Sequence, residues 1–205
     1  MRVFEVTLEG IDDLPNFEDA PEKIARYARM AINRTAERAR VWGAKEIRTQ
    51  VNFPASYLSG KDSRLYIRKR AVGDNLEAII TGRFRPTSLA RFVKGSNLRP
   101  GRRTTPLTVE VRPGEARRLK GAFLVKLRAG NVRTDTQYNL GLAIRLQPGQ
   151  RPRESRGAVQ LDRNVWLLYG PSVNQVWNTV REDIAPKTEE FLRNEFNRLL
   201  GVEGL

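Results

Sequence analysis

The spacing of hydrophobic positions changes period twice along this chain. Residues 1–9 alternate loosely (Val3, Glu5, Val6, Thr7, Leu8) and predict a short strand, followed by an acidic turn region over residues 10–18. A helix start comes next, with Asp19 as N-cap, Pro21 in the first turn and Glu22 in capping-box position. Ile24, Ala28, Ala31, Thr35, Ala39 and Trp42 then recur every three or four residues. They form one apolar stripe on a helix running to about Thr49, roughly 45 Å at ~1.5 Å per residue. Arg26, Arg29, Arg34, Arg38, Arg40, Lys45 and Arg48 lie mostly off the stripe, and its alanines predict close packing against another surface.

After Asn52-Phe53-Pro54-Ala55-Ser56 the period becomes two. Leu65 and Ile67, then Leu76, Ala78 and Ile80, alternate with polar residues across Gly73-Asp74-Asn75, which predicts a hairpin with a three-residue turn. Further strands are predicted at residues 108–112, before a Pro113-Gly114-Glu115 turn, and at 123–128, 138–146 and 165–169. Two long loops interrupt this mainly antiparallel sheet. Residues 83–105 carry Arg83, Arg85, Arg91, Lys94, Arg99, Arg102 and Arg103 with no acid, and residues 148–163 carry Arg151, Arg153, Arg156 and Arg163 against Glu154 and Asp162. Loops of this length in a compact domain are commonly functional or disordered.

The last segment returns to helical spacing. Ser172 and Gln175 stand in capping-box register ahead of Val173, Val176, Trp177 and Val180; Pro186 kinks or restarts the helix. Phe191, Leu192, Phe196, Leu199 and Leu200 complete its apolar face, with Gly201 as a stop. The order predicts an α+β fold: a mainly antiparallel β-sheet flanked by a long N-terminal helix and a long, Pro-kinked C-terminal helix. A length of 205 residues makes one domain over 1–205 the expectation.

Composition removes most chemistry. The chain has no Cys and no His, so disulfides, a thiol nucleophile, Cys/His zinc sites and a His general base are excluded. Neither a phosphate-binding Gly-rich loop nor a nucleophile elbow occurs, and Gly170-Pro171-Ser172 reads as a strand-to-helix turn. A metal nuclease needs converging carboxylates. The middle of the chain offers Asp74, Glu77, Glu110, Glu115, Asp135, Glu154 and Asp162, scattered through turns and strands. Trp42, Trp166 and Trp177 fall on apolar faces and read as core rather than base-stacking residues. The expectation is therefore no catalytic residues, no metal and no cofactor. No apolar run reaches the ~20 residues of a membrane span, and the first residues lack a signal-peptide core, so the expected setting is intracellular or within something assembled there.

Charge gives the positive indication. Residues 64–163 hold 23 Lys+Arg against 7 Asp+Glu, whereas residues 1–63 hold 10 against 10 and residues 164–205 hold 4 against 6. The basic residues divide into 29 Arg and 8 Lys. A GC-rich genome is one reading of that ratio but does not explain the clustering. Arg forks bind phosphate and carboxylate bidentately, so the block predicts an acidic partner, either nucleic acid contacted through phosphates or a negatively charged protein surface.

Four stretches together resemble the minor tail protein Z family of tailed bacteriophages. They are Ala31-Ile32-Asn33-Arg34-Thr35-Ala36-Glu37-Arg38, Gly82-Arg83-Phe84-Arg85-Pro86-Thr87-Ser88-Leu89-Ala90-Arg91-Phe92, Leu119-Lys120-Gly121-Ala122-Phe123 and Leu168-Tyr169-Gly170-Pro171-Ser172-Val173. The resemblance runs from about residue 25 to residue 200 and implies a structural virion protein acting in tail completion at the head-to-tail neck. It also implies a homo-oligomeric ring, with six copies as one candidate stoichiometry, in contact with neighbouring neck and tail proteins. No small-molecule substrate or membrane is implied, and the setting would be the virion, with the host cytoplasm during assembly. The family carries over no catalytic residues, and Tyr169, Gly170, Pro171 and Ser172 are expected to form a strand-to-helix corner. Arg83, Arg85, Arg91, Arg99, Arg102, Arg103, Arg151, Arg153 and Arg156 are expected to face genomic DNA or an acidic neighbouring ring. The alternative is a nucleic-acid-binding protein without sequence preference that does not assemble.

Overall fold

The computed structural model describes residues 4–7, 21–60, 63–95, 98–101, 106–127, 140–152 and 157–201. Its elements run β1 (Phe4–Thr7), α1 (Pro21–Gln50), α2 (Ala55–Leu58), β2 (Leu65–Lys69), β3 (Glu77–Gly82) and β4 (Thr87–Ser88). A 3-10 turn (Leu89–Phe92) precedes β5 (Leu107–Glu110), β6 (Ala116–Leu119), β7 (Ala122–Lys126), β8 (Leu140–Arg145), β9 (Ala158–Asp162), β10 (Val165–Gly170) and α3 (Val173–Gly201). All strand pairings among the described residues are antiparallel and the fold is α+β. Among the described residues the strands form three sheets where one was expected: β1-β3-β2, β4-β10-β8-β7 with β9 on β10, and β5-β6.

The chain divides into two compact units, each assembled from separated segments. Unit 1 is Met1–Ile47, Ala55–Arg83 and Asn174–Leu205; unit 2 is Arg48–Pro54 and Phe84–Val173. In unit 1, the α1 stripe is buried as its spacing predicts: Ile24, Ala28, Ala31, Thr35 and Ala39 are inaccessible or nearly so, joined by Ile32 and Ala36. Small residues on this face let α3 approach closely. The Trp177 indole lies over Gly43, where an added Cβ would stand 2.1 Å from a ring carbon, and meets Phe4 edge-on with centroids 5.3 Å apart. Trp42 packs edge-on against Phe191 at 5.7 Å.

The β2–β3 hairpin closes one residue tighter than expected. Val72 and Asn75 exchange backbone hydrogen bonds of 3.1 Å in both directions, so the tip is Gly73-Asp74 rather than three residues. Asn33 of α1 reads the same hairpin, accepting from the Ala71 N–H at 3.0 Å and donating to its carbonyl at 2.9 Å. α3 continues through Pro186 to Gly201 rather than restarting there. Pro186 is exposed, so the Glu182 carbonyl that loses its helical donor, on another exposed residue, can bond to water. The proposed N-cap Asp19 lies outside the described residues. Among the described residues, no helix is long and apolar enough to cross a membrane.

Carboxylates of unit 1 are bridged by cations. Glu195 receives Arg34 and, at 2.9 Å, Arg198; Glu37 receives Arg70 and, at 3.2 Å, Arg40; Lys69 pairs with Glu77 at 2.6 Å. The Arg198 hydrogen bond, helped by Arg34, outweighs desolvation and pulls the Glu195 pKa down to about 2. Partial burial pushes Glu37 upward, but hydrogen bonds from Arg70 and Arg40 leave it below its ordinary value.

Unit 2 is built on the five-stranded sheet. Leu124 and Leu142 are directly paired and fully buried; the adjacent pair Phe123 and Ala143 packs with Val165, Leu167 and Tyr169. Both faces of β8 are thus buried, which is why it reads as a continuous apolar run rather than an alternating one. Asn52 ties the segment after α1 to β5, donating from its backbone to the Val111 carbonyl at 2.8 Å.

Candidate partner interface

Two of the stretches that carry the family resemblance pair with each other. Tyr169 and Gly170, at the end of β10, register against Ser88 and Thr87 of β4. Ser88 is held in turn: its hydroxyl accepts from the Ala90 N–H, starting the 3-10 turn, and donates to the Leu140 carbonyl at 3.2 Å. Ser172 is buried and immediately precedes α3, so the expected strand-to-helix corner is where the chain leaves β10 for the helix.

The corner forms one wall of a cleft of about 510 Å³ in unit 2. Leu89, Val109, Val111, Leu119, Leu168 and Pro171 supply apolar surface, with Tyr169 and Gly170 beside them. Arg112, Glu115 and Arg117, all exposed, stand on the β5–β6 side. That side is shaped by a turn the sequence encodes plainly. Pro113 and Gly114 occupy the middle of a turn closed by the Glu115 N–H on the Arg112 carbonyl at 3.1 Å, and Gly114 takes φ +80°, the type II requirement. The Glu110 carboxylate caps the turn by accepting from the Gly114 N–H at 2.8 Å. Lys94 also pairs with Glu110, and these two donors hold its pKa below the ordinary value.

The predicted arginines separate into groups. Arg85, Arg99 and Arg151 are exposed in unit 2. Arg91 is half-buried at the end of the 3-10 turn. Arg83 belongs to unit 1, is half-buried and donates to the Tyr57 hydroxyl at 3.1 Å, so it is engaged within the fold. Arg102, Arg103, Arg153 and Arg156 lie outside the described residues. Neither basic segment is loop throughout. Residues 83–105 contain β4, the 3-10 turn and bridges from Val93 to Val109 and from Gly101 to Leu124, while β9 takes up the end of 148–163. Two-residue strands and single bridges leave no periodic trace, and Ala90, Phe92 and Val93 are buried without one.

Arg112, Arg117, Arg118 and Lys120 were not among the predicted contact residues, although all four are exposed on or beside the β5–β6 hairpin. β6 reads Ala-Arg-Arg-Leu, with three exposed positions and no alternation, so it gives no strand signal by itself. The usable signal was the Pro113-Gly114 turn, which demands a return strand after β5.

Assigned by unit, the charge is wholly one-sided: unit 2 has 19 Lys+Arg against 5 Asp+Glu, unit 1 has 18 against 18. Of the described acids in unit 2, Glu110 is taken by Lys94, Glu115 stands 3.7 Å from Arg112, and the Asp162 carboxylate accepts the Arg163 N–H at 2.7 Å. Among the described residues no three potential metal ligands cluster, and Asp135 and Glu154 are outside them. What the arrangement can do chemically is bind polyanions and apolar side chains side by side. No family model matches this chain, and neither the curated proteins nor the solved structures give a match to it.

Proposed function

We propose that the protein is a structural subunit of a tailed-bacteriophage virion, acting in tail completion at the head-to-tail junction as a ring component that is not an enzyme. Unit 2 would then present its arginines to genomic DNA or to an acidic neighbouring ring. The observation that carries the reading is the placement of the whole +14 net charge in unit 2, beyond what its five acids can pair. Duplex DNA carries one negative charge per ~1.7 Å of axis, and a basic surface binds it through phosphates without reading bases. The pairing of β4 with the Tyr169-Gly170 end of β10 brings two of the stretches that carry the resemblance into one structural feature.

The test is virion incorporation. Arg99→Glu with Arg117→Glu and Arg118→Glu should yield heads and tails that fail to join, while the isolated protein keeps its thermal stability. Normal particles from that variant, or density placing unit 2 on the outer virion surface, would overturn the proposal. The same excess of positive charge favours a second reading, a DNA-binding protein that does not assemble; a monodisperse monomer that binds duplex DNA in a strongly salt-dependent way would select it.

A further inference from the structure

Within the ring reading, on which this inference rests, we propose that the unit 2 cleft receives residues 8–20 of a second copy of the chain. The cleft combines two demands on an occupant. Its apolar walls, including Val109, Val111, Leu119 and Pro171, call for apolar side chains, and about 510 Å³ is within the ~300–1,000 Å³ range of binding pockets. Its exposed charges are Arg112, Arg117 and Glu115. Glu115 stands 3.7 Å from Arg112, and Arg117 makes no ion pair among the described residues, so the cleft favours an anion.

Residues 8–20 meet both demands. The stretch Leu-Glu-Gly-Ile-Asp-Asp-Leu-Pro-Asn-Phe-Glu-Asp-Ala carries five carboxylates and no cation, with apolar residues at every third position: Leu8, Ile11, Leu14 and Phe17. It lies outside the described residues, and the case for it is this chemical complementarity. An acidic, apolar segment on each copy and a basic, apolar cleft on the next make a heterologous contact, the kind that closes rings. Charge complementarity across such a contact fixes partner and register, with affinity coming from the apolar anchors.

Native mass spectrometry of the full chain tests this with a charge swap. Wild type is expected as a closed oligomer at micromolar concentration. Asp12→Lys with Asp13→Lys, and separately Arg112→Glu with Arg117→Glu, should each weaken association by about tenfold or more. The chain carrying all four changes should regain the oligomer, and so should a one-to-one mixture of the two double variants. These two recoveries separate lost docking from lost folding. Double variants that assemble like wild type, or failure of both recoveries, overturn the docking and leave the ring reading intact. A wild type that stays monomeric overturns the ring reading and the docking with it.

Discussion

The two units contain nearly the same number of cations, 18 and 19, but 18 acids in unit 1 and only 5 in unit 2. In unit 1 several of these charges tie elements of the fold together. Glu195 and Glu37 each bridge two arginines, and one of these links α1 to α3. In unit 2 the three described carboxylates are engaged by Lys94, Arg112 and the Arg163 N–H, and most of the described arginines are exposed. Surplus like charge opposes compaction through self-repulsion. A fold gains nothing from it, and its confinement to one unit is the observation on which the proposed partner contact rests.

Three perturbations would break or sharpen this contrast, in decreasing order of effect. Trp177→Ala removes the largest buried side chain of unit 1 and should cost ~3–5 kcal/mol in urea unfolding. If unit 2 is the binding unit, the folded variant should keep wild-type affinity for a polyanion. Gly43→Ala places a methyl against the Trp177 ring from the opposite side of the same contact and should cost ~1–3 kcal/mol by overpacking. Its effect should largely vanish in a Trp177→Ala background, where the space is open.

The smallest effect is electrostatic. Glu195 is depressed from 4.5 to about 2 in the fold, so its contribution is complete above the unfolded value and is lost as pH falls towards 2. Glu195→Gln should therefore destabilise the protein by about 1 kcal/mol at neutral pH, because its arginine partners are half-exposed. It should also flatten the fall in stability between pH 4.5 and 2. An unchanged slope would contradict the ion-pair assignment.

How much of this was legible in the sequence depended on periodicity. α1 and α3 repeat their apolar residues over many turns, so their buried faces could be read directly, while β2 and β3 could be placed from alternation and β7, β8 and β10 from apolar runs. β4, β6 and β9 could not, for different reasons. β4 has two residues, β6 is charged on both sides, and β9 is exposed over most of its length, with Val159 and Leu161 more than half accessible. The corner residues were found because a Gly-Pro-Ser turn between a strand and a helix is local chemistry. The cleft was not, since its walls come from the 3-10 turn, the β5–β6 hairpin and β10, which lie far apart in sequence. Charge clustering was visible early, but its division by unit needed the contacts, because unit 1 reclaims residues 55–83 with their six cations and three acids.

The most direct test sets two equal charge reversals side by side. Arg99, Arg117, Arg118 and Arg151, all exposed in unit 2, are changed to Glu in one protein; Arg26, Arg64, Arg68 and Arg193, all exposed in unit 1, are changed in the other. Duplex-DNA affinity is then measured against salt concentration for both and for wild type. Each phosphate contact contributes ~0.9 to the slope of log affinity against log salt, so the unit 2 variant should bind more weakly with a shallower slope by several such contacts. The unit 1 variant should keep the wild-type slope. Equal losses in the two variants would mean that only total charge matters, and would contradict the assignment of partner binding to unit 2.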